Sequence, residues 1–214
     1  MKSSRNKNKE TTKFVSNKLK EKAGTEKVVL RDADIRDGLC EYLEERFGKV
    51  RFFEELVIGK SRADIVLVTD LGLIGVEIKS DADTYARLER QVKDYDRFFD
   101  YNFVVVGSSH AAHINEHVPE HWGVISVEAV STGLDFYELR EPSPSKKMRL
   151  TNQMSLLWRV ELAKIQADNG LYKYPGKSKM YVKKYLMASL EKEDLKKQML
   201  AVLFDRDYSI FDEE

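Results

Sequence analysis

The chain has 214 residues, and its 36 basic and 36 acidic side chains leave a formal net charge of zero. That length buries a substantial core without metal or disulfide staples, and the zero balance excludes a global basic field as the means of attracting a polyanion, so charge must act locally. The single Cys40 excludes an internal disulfide framework, no apolar run reaches membrane-spanning length, and no apolar signal core follows Met1; the expected compartment is a reducing cytoplasm, with no membrane partner.

Residues 1–27 carry Lys2, Arg5, Lys7, Lys9, Lys13, Lys18, Lys20, Lys22 and Lys27 among few hydrophobes. They read as a flexible basic arm, which suits contact with a phosphate backbone and a solubilising tail equally well. From Asp32 the apolar spacing predicts a helix with Ile35, Leu39, Tyr42, Leu43 and Phe47 on one face and Gly48 as its stop. Asp34, Glu41 and Glu45 flank that stripe. A strand follows from Val50 to Ile58, and Gly59 to Arg62 turns the chain.

Asp64 opens the apolar run Ile65-Val66-Leu67-Val68; after the turn signal Asp70-Leu71-Gly72, the run Leu73 to Lys79 returns antiparallel beside it. Alternation puts Glu77 and Lys79 on one face of that strand and Ile78 on the other, in a core. An acid and an ammonium among apolar neighbours are costly to bury unless compensated. Mg²⁺ or Mn²⁺ compensates the carboxylates of Asp64 and Glu77, since hard cations prefer oxygen ligands, and Lys79 beside the ion can hold a water and offset charge on a phosphate. The bland alternative for such a triplet is a solvated strand face.

Ser80 to Asp83 precede a second helix with Leu88, Val92, Tyr95, Phe98 and Phe99 apolar, and with Asp83 or Asp81 as its N-cap. Gln91 and Tyr95, four apart, share a face. Phe103 to Gly107 and Gly123 to Val127 read as buried strands joined through a short helix, hence parallel. The segment between them holds His110, His113, His117 and His121, but no cysteine accompanies them and Pro119 breaks the helix, so zinc is not assigned. Gly133 to Leu139 is a further edge strand, and the Pro- and Ser-containing stretch 141–150 is a linker. From Thr151 helices resume, with Met154, Leu156, Leu157, Val160, Leu162 and Ile165, then Val182, Tyr185 and Leu186, then Leu195, Met199 and Leu203 as their apolar positions.

Asp64 with Glu77-Ile78-Lys79 resembles the signature of the PD-(D/E)XK nucleases, with Ala63 in place of the name-giving proline, and Gln91 to Tyr95 resembles the QxxxY motif of RecB-type members. Together with Arg62-Ala63-Asp64, Ser80-Asp81, Val104 to Gly107 and Pro119 to Gly123, these residues resemble small stand-alone members found in phages and bacterial genomes. The resemblance covers Asp34 to the C-terminal helices. It implies an α/β restriction-endonuclease-like fold with a mixed central sheet flanked by helices over 28–140, followed by a small helical C-terminal module over 151–214. It also implies metal-dependent hydrolysis of DNA that leaves 5′-phosphates. Asp64, Glu77 and the Ile78 carbonyl would hold the metal, Lys79 would orient water, Gln91 would bond a phosphate or water, and Tyr95 would stand near the scissile strand.

An acid from the first helix or from Glu55 would complete the site. Arg62, Arg87 and Arg90 are the expected phosphate contacts around it. Residues Gly170 to Leu190 resemble a SAP-like unit, with Lys177, Lys179 and Lys183 as DNA contacts. The alternatives open at this stage are a non-catalytic DNA-binding or assembly component of the same fold and, less favoured, a nuclease acting on RNA. A homodimer or a protein partner from a DNA-processing complex is left open as well.

Overall fold

The computed structural model describes residues 30–81, 83–107 and 110–208, so the arm expected at 1–27 lies outside the described residues. Helix α1 (Asp32–Phe47) leads into three consecutive strands, β1 (Arg51–Ile58), β2 (Ser61–Thr69) and β3 (Gly72–Lys79). A 3₁₀ turn, Tyr85–Arg87, runs into α2 (Leu88–Phe98), followed by β4 (Tyr101–Gly107), the 3₁₀ turn Ile114–Glu116, β5 (Gly123–Val130) and β6 (Gly133–Arg140). Among the described residues four helices follow: α3 (Leu150–Gln153), α4 (Arg159–Asp168), α5 (Lys179–Ser189) and α6 (Lys192–Phe204).

Among the described residues six strands form one sheet in sequence order, antiparallel through β1, β2 and β3, parallel through β3, β4 and β5, and antiparallel again at β6. This is the mixed sheet with flanking helices expected from the sequence. Every residue of β3 is buried, because helices cover both faces, and a doubly covered strand reads as a continuous apolar run. On one face α1 sets Ile35, Leu39 and Leu43 against Ile65, Leu67, Ile74, Val76 and Ile78. On the other, α2 and the C-terminal helices share a single cluster in which Val66, Leu73 and Val104 meet Tyr95, Leu162, Leu186 and Met199. Burial of a leucine such as Leu39 or Leu186 contributes roughly 1.5–3 kcal/mol.

Helix α1 ends as expected, with Gly48 at φ 72° closing it through an N–H···O bond to Glu44 of 2.9 Å. Helix α2 matters most for the site, and buried acids fasten it. Asp94 accepts from Ser61 Oγ at 2.8 Å and from the Lys60 N–H at 3.1 Å, which fixes the β1–β2 turn. Asp96 accepts from Trp122 Nε1 at 2.8 Å; just past the helix, Asp100 accepts from the Leu73 N–H at 2.9 Å and from Lys196 Nζ at 2.5 Å. Gly75 of β3 lies directly under the Phe99 ring, where any side chain would collide. That close approach sets the height of α2 over the sheet.

Two local expectations are corrected. Asp83 does not cap α2: its carboxylate accepts from Ser80 N at 2.9 Å and from Ser80 Oγ at 2.6 Å, and the 3₁₀ turn intervenes before the helix. The helical pattern from Thr151 to Ile165 is also interrupted. Trp158 is extended and gives its N–H to the Glu161 side chain at 2.5 Å, so a new helix starts at Arg159. The restart rotates Val160 outward, leaving it 57% exposed rather than in the core.

Candidate active site

The β2–β3 register pairs Ile65 with Val76, so the next position along the ladder sets Asp64 opposite Glu77. Both side chains belong to the sheet face covered by α2, as alternation requires. Asp64 Oδ2 accepts from the Ile78 N–H at 2.8 Å. Glu77, only 1% exposed, accepts from Lys79 Nζ at 2.5 Å and from the Gln91 amide on one oxygen, and from the Tyr95 hydroxyl at 2.6 Å on the other. Lys79 Nζ also donates to Gln91 Oε1 at 3.2 Å, and Tyr95 Oη accepts from the Asp64 N–H at 3.2 Å. The spacing of Gln91 and Tyr95 on α2 thus aims both at one carboxylate.

Burial, and then the neighbouring Glu77 charge, push the Asp64 carboxyl up to about 7. Among the described residues no hydrogen bond occupies Asp64 Oδ1. Tyr95 is held well above its ordinary value by burial first and by Glu77 and Asp64 next, so it remains a neutral donor.

These residues form one wall of an open cleft of about 640 Å³, and of the residues singled out in the sequence Glu55, Arg62, Asp64, Glu77, Ile78, Lys79, Arg87, Arg90 and Gln91 line it. The Ile78 side chain is buried on the α1 side of the sheet, so only its backbone can meet the cleft. Glu55 stands at the rim with φ 55°, a left-handed conformation that is strained for a side chain of this kind. Its carboxylate is taken by Arg36 at 3.0 Å and by Arg62.

Three expected placements are corrected. Tyr95 is fully buried under the carboxylates and does not reach the cleft, so it positions Glu77 rather than meeting a substrate. Lys183 is 5% exposed and donates to the Thr151 carbonyl at 3.1 Å, because the inner face of α5 carries it against α3; it cannot bind DNA phosphates from there. Lys177 and Lys179, expected as contacts on the C-terminal module and not in this cleft, are exposed. The acid that α1 brings to the site is Asp32, not Asp34, Glu41 or Glu45, since the N-terminus of the helix faces the cleft. Asp34 instead accepts from the Arg31 N–H at 3.0 Å.

Sequence reasoning missed Asp32 and also Arg36. Arg36 donates to Asp32 Oδ1 at 2.8 Å and to the Asp64 carbonyl at 2.8 Å, and so ties α1 to β2. Their four-residue spacing on the first helix was the available signal.

The donor set suits a hard divalent cation: two carboxylates facing each other across two strands, one with an unoccupied oxygen and a proton affinity raised by burial and then by like charge. Among the described residues no group of three or more His, Cys, Asp or Glu side chains converges in the manner of a self-sufficient metal cage. Water and backbone oxygen would therefore fill the remaining positions, as Mg²⁺ prefers. The four histidines form no such group either: His110 and His117 both pack on the Tyr85 ring, at 5.3 and 4.1 Å, His113 meets Glu116, and His121 meets Asp96 at 2.8 Å.

Comparison with known proteins gives a family match over most of the chain: the family described as bacteriophage P4 protein cII matches residues 25–211. No curated protein matches. Among solved structures, SfsA of Pyrococcus furiosus in complex with Ca²⁺ is similar at 16% identity and a TM-score of 0.36, over 54% of this chain and 67% of that one. A likeness at that level says nothing of function. Among the described residues no helix is long and apolar enough to cross a membrane.

Proposed function

The chain belongs to the bacteriophage P4 protein cII family, and for this member we propose metal-dependent hydrolysis of DNA phosphodiesters in the cleft at the open end of β2 and β3. The observation that carries the reading is the meeting of Asp64, Glu77, Lys79 and Gln91 on one wall, with the Asp64 carboxyl driven up to about 7 by burial and by Glu77. This is the arrangement that the resemblance to PD-(D/E)XK nucleases implies.

Asp64 and Glu77, with the Ile78 carbonyl, would hold Mg²⁺ or Mn²⁺. When bound, such an ion supplies Lewis acidity toward phosphate oxygens and acidifies water. Arg62, Arg87 and Arg90, at the rim of the cleft, draw the phosphate backbone in. Lys79 orients the attacking water and offsets charge that builds on the phosphate, while Gln91, already bonded to it, fixes the ammonium. Water adds to phosphorus, the bond to the 3′ oxygen breaks, and a proton goes to that leaving oxygen, giving a 5′-phosphate and a 3′-hydroxyl. Tyr95 takes no part in the chemistry; it holds Glu77 from beneath.

Incubation with linear, circular, single-stranded and branched DNA in Mg²⁺ or Mn²⁺ tests the reading. Product that depends on Asp64 and Lys79 supports it, and cleavage that survives Asp64→Ala would falsify it. One observation favours a second reading, a DNA-binding component without turnover: both Glu77 oxygens are already engaged by protein donors. Affinity for DNA in Ca²⁺, with no product in Mg²⁺ or Mn²⁺ on any form, would decide for it.

A further inference from the structure

Far from neutral, the stretch from Asn169 to Leu190 holds five lysines and four tyrosines without a single acid, in a chain whose net charge is zero. The structure gathers the tyrosines. Tyr174 is central, with ring centroids 4.7 Å from Tyr172, 5.1 Å from Tyr181 and 5.0 Å from Tyr185. Tyr172 is 65% and Tyr181 40% exposed, so neither ring is consumed by the core beneath. Lys177 sits over the Tyr181 ring at 5.4 Å; Lys173 and Lys184 are exposed on the same segment.

The loop that carries these rings is held stiffly. Arg159 donates to the Tyr174 carbonyl at 2.6 Å and Gln166 to the Tyr172 carbonyl at 2.5 Å, both from α4. Tyr174 itself is kept at φ 50°, a left-handed conformation that tyrosine adopts only under constraint from its surroundings. A hairpin that needed only to close a core would turn its tyrosines inward and leave lysines alone outside. Here the exposed rings of Tyr172 and Tyr181, backed by the half-buried Tyr174, stand among ammonium groups on a rigid frame, the equipment by which proteins bind unpaired nucleic acid: bases stack on rings while cations follow the phosphates.

We propose that Tyr172, Tyr174 and Tyr181, with Lys173, Lys177 and Lys184, form a stacking platform for single-stranded DNA, separate from the hydrolytic cleft. The platform does not depend on hydrolysis, and its test is run without divalent metal, so its failure and that of the nuclease reading are distinguishable.

Fluorescence anisotropy of the full chain in EDTA, with labelled oligothymidine of about 15 nucleotides, the matching abasic strand and a duplex of the same length, reads the platform directly. Oligothymidine should bind about tenfold more tightly than the abasic strand, because only bases stack. Tyr172→Ala with Tyr181→Ala should abolish that difference and leave abasic binding unchanged, while Tyr172→Phe with Tyr181→Phe should retain it. Equal affinity of the wild-type chain for oligothymidine and the abasic strand would overturn the proposal, as would tighter binding of the duplex. The comparison within the wild type holds whether or not the alanine variants fold.

Discussion

Tyr95 donates its phenolic hydrogen to Glu77 Oε2 at 2.6 Å while its oxygen accepts from the Asp64 N–H at 3.2 Å, so one buried side chain on α2 braces both strands of the site. Replacing Tyr95 by Phe keeps the ring in the core and removes both bonds. Stability should fall by about 1–3 kcal/mol, because Glu77 loses a donor that water cannot replace at full burial. On the proposed nuclease reading, cleavage should drop about tenfold through a lower kcat with KM little changed, since the residue would position a metal ligand without touching DNA. Thermal denaturation and steady-state kinetics on one preparation check both halves.

The Asp64 carboxyl gives a signed dependence on pH. Its folded value, about 7, lies above the ordinary 3.8, so the metal-free folded chain binds the extra proton between those limits. Stability from this group is therefore present below about pH 4 and lost as pH rises toward 7. On the proposed metal site, the ion would compete for the same oxygens, so Mg²⁺ affinity should weaken roughly tenfold per pH unit below about 7. Denaturant midpoints with and without Mg²⁺ across pH 4–8 should converge at the acid end in the wild type. Asp64→Asn should flatten the metal-free profile.

Gly75→Ala asks how α2 is set. The added methyl would enter the Phe99 ring, and the helix must lift or tilt to admit it. Overpacking of this kind costs roughly 1–3 kcal/mol, and displacement of Gln91 and Tyr95 should lower activity as well. A variant with wild-type melting and wild-type cleavage would show that the spacing of helix and sheet has no hold on the site.

Arg206 is 6% exposed and meets both Glu161 oxygens, at 2.6 and 2.7 Å, with its guanidinium over the Trp158 ring at 4.2 Å. Arg206→Met should destabilise the chain by about 3–5 kcal/mol, because it leaves Glu161 buried and unpaired. Changing Glu161 to Gln in the same chain should recover part of the loss. A double-mutant cycle by chemical denaturation measures the coupling.

Much of the fold is legible in the sequence. Continuous apolar runs marked β2 through β5, and alternation put Glu77 and Lys79 on one face with Ile78 on the other, as observed. Local patterns failed where a tertiary contact decided the matter. Lys183 reads as a surface lysine by type, yet its turn of α5 faces the Thr151 carbonyl. Val160 fits a helical stripe until the Trp158–Glu161 cap restarts the helix. Asp32 and Arg36 escaped notice because the choice among the acids of α1 depends on which end of the helix overhangs the sheet. The four-residue spacing of Asp32 and Arg36 marks them as a pair, but not which end of the helix meets the sheet.

Binding of Mn²⁺ followed by electron paramagnetic resonance at pH 8 goes straight to the claim that carboxylates facing each other across β2 and β3 hold a divalent ion. The wild-type chain should show one saturable site that Mg²⁺ displaces, and Asp64→Ala and Glu77→Gln should each abolish it while leaving the fold intact. Saturable Mn²⁺ binding that persists in both variants, or none in the wild type, would contradict the account.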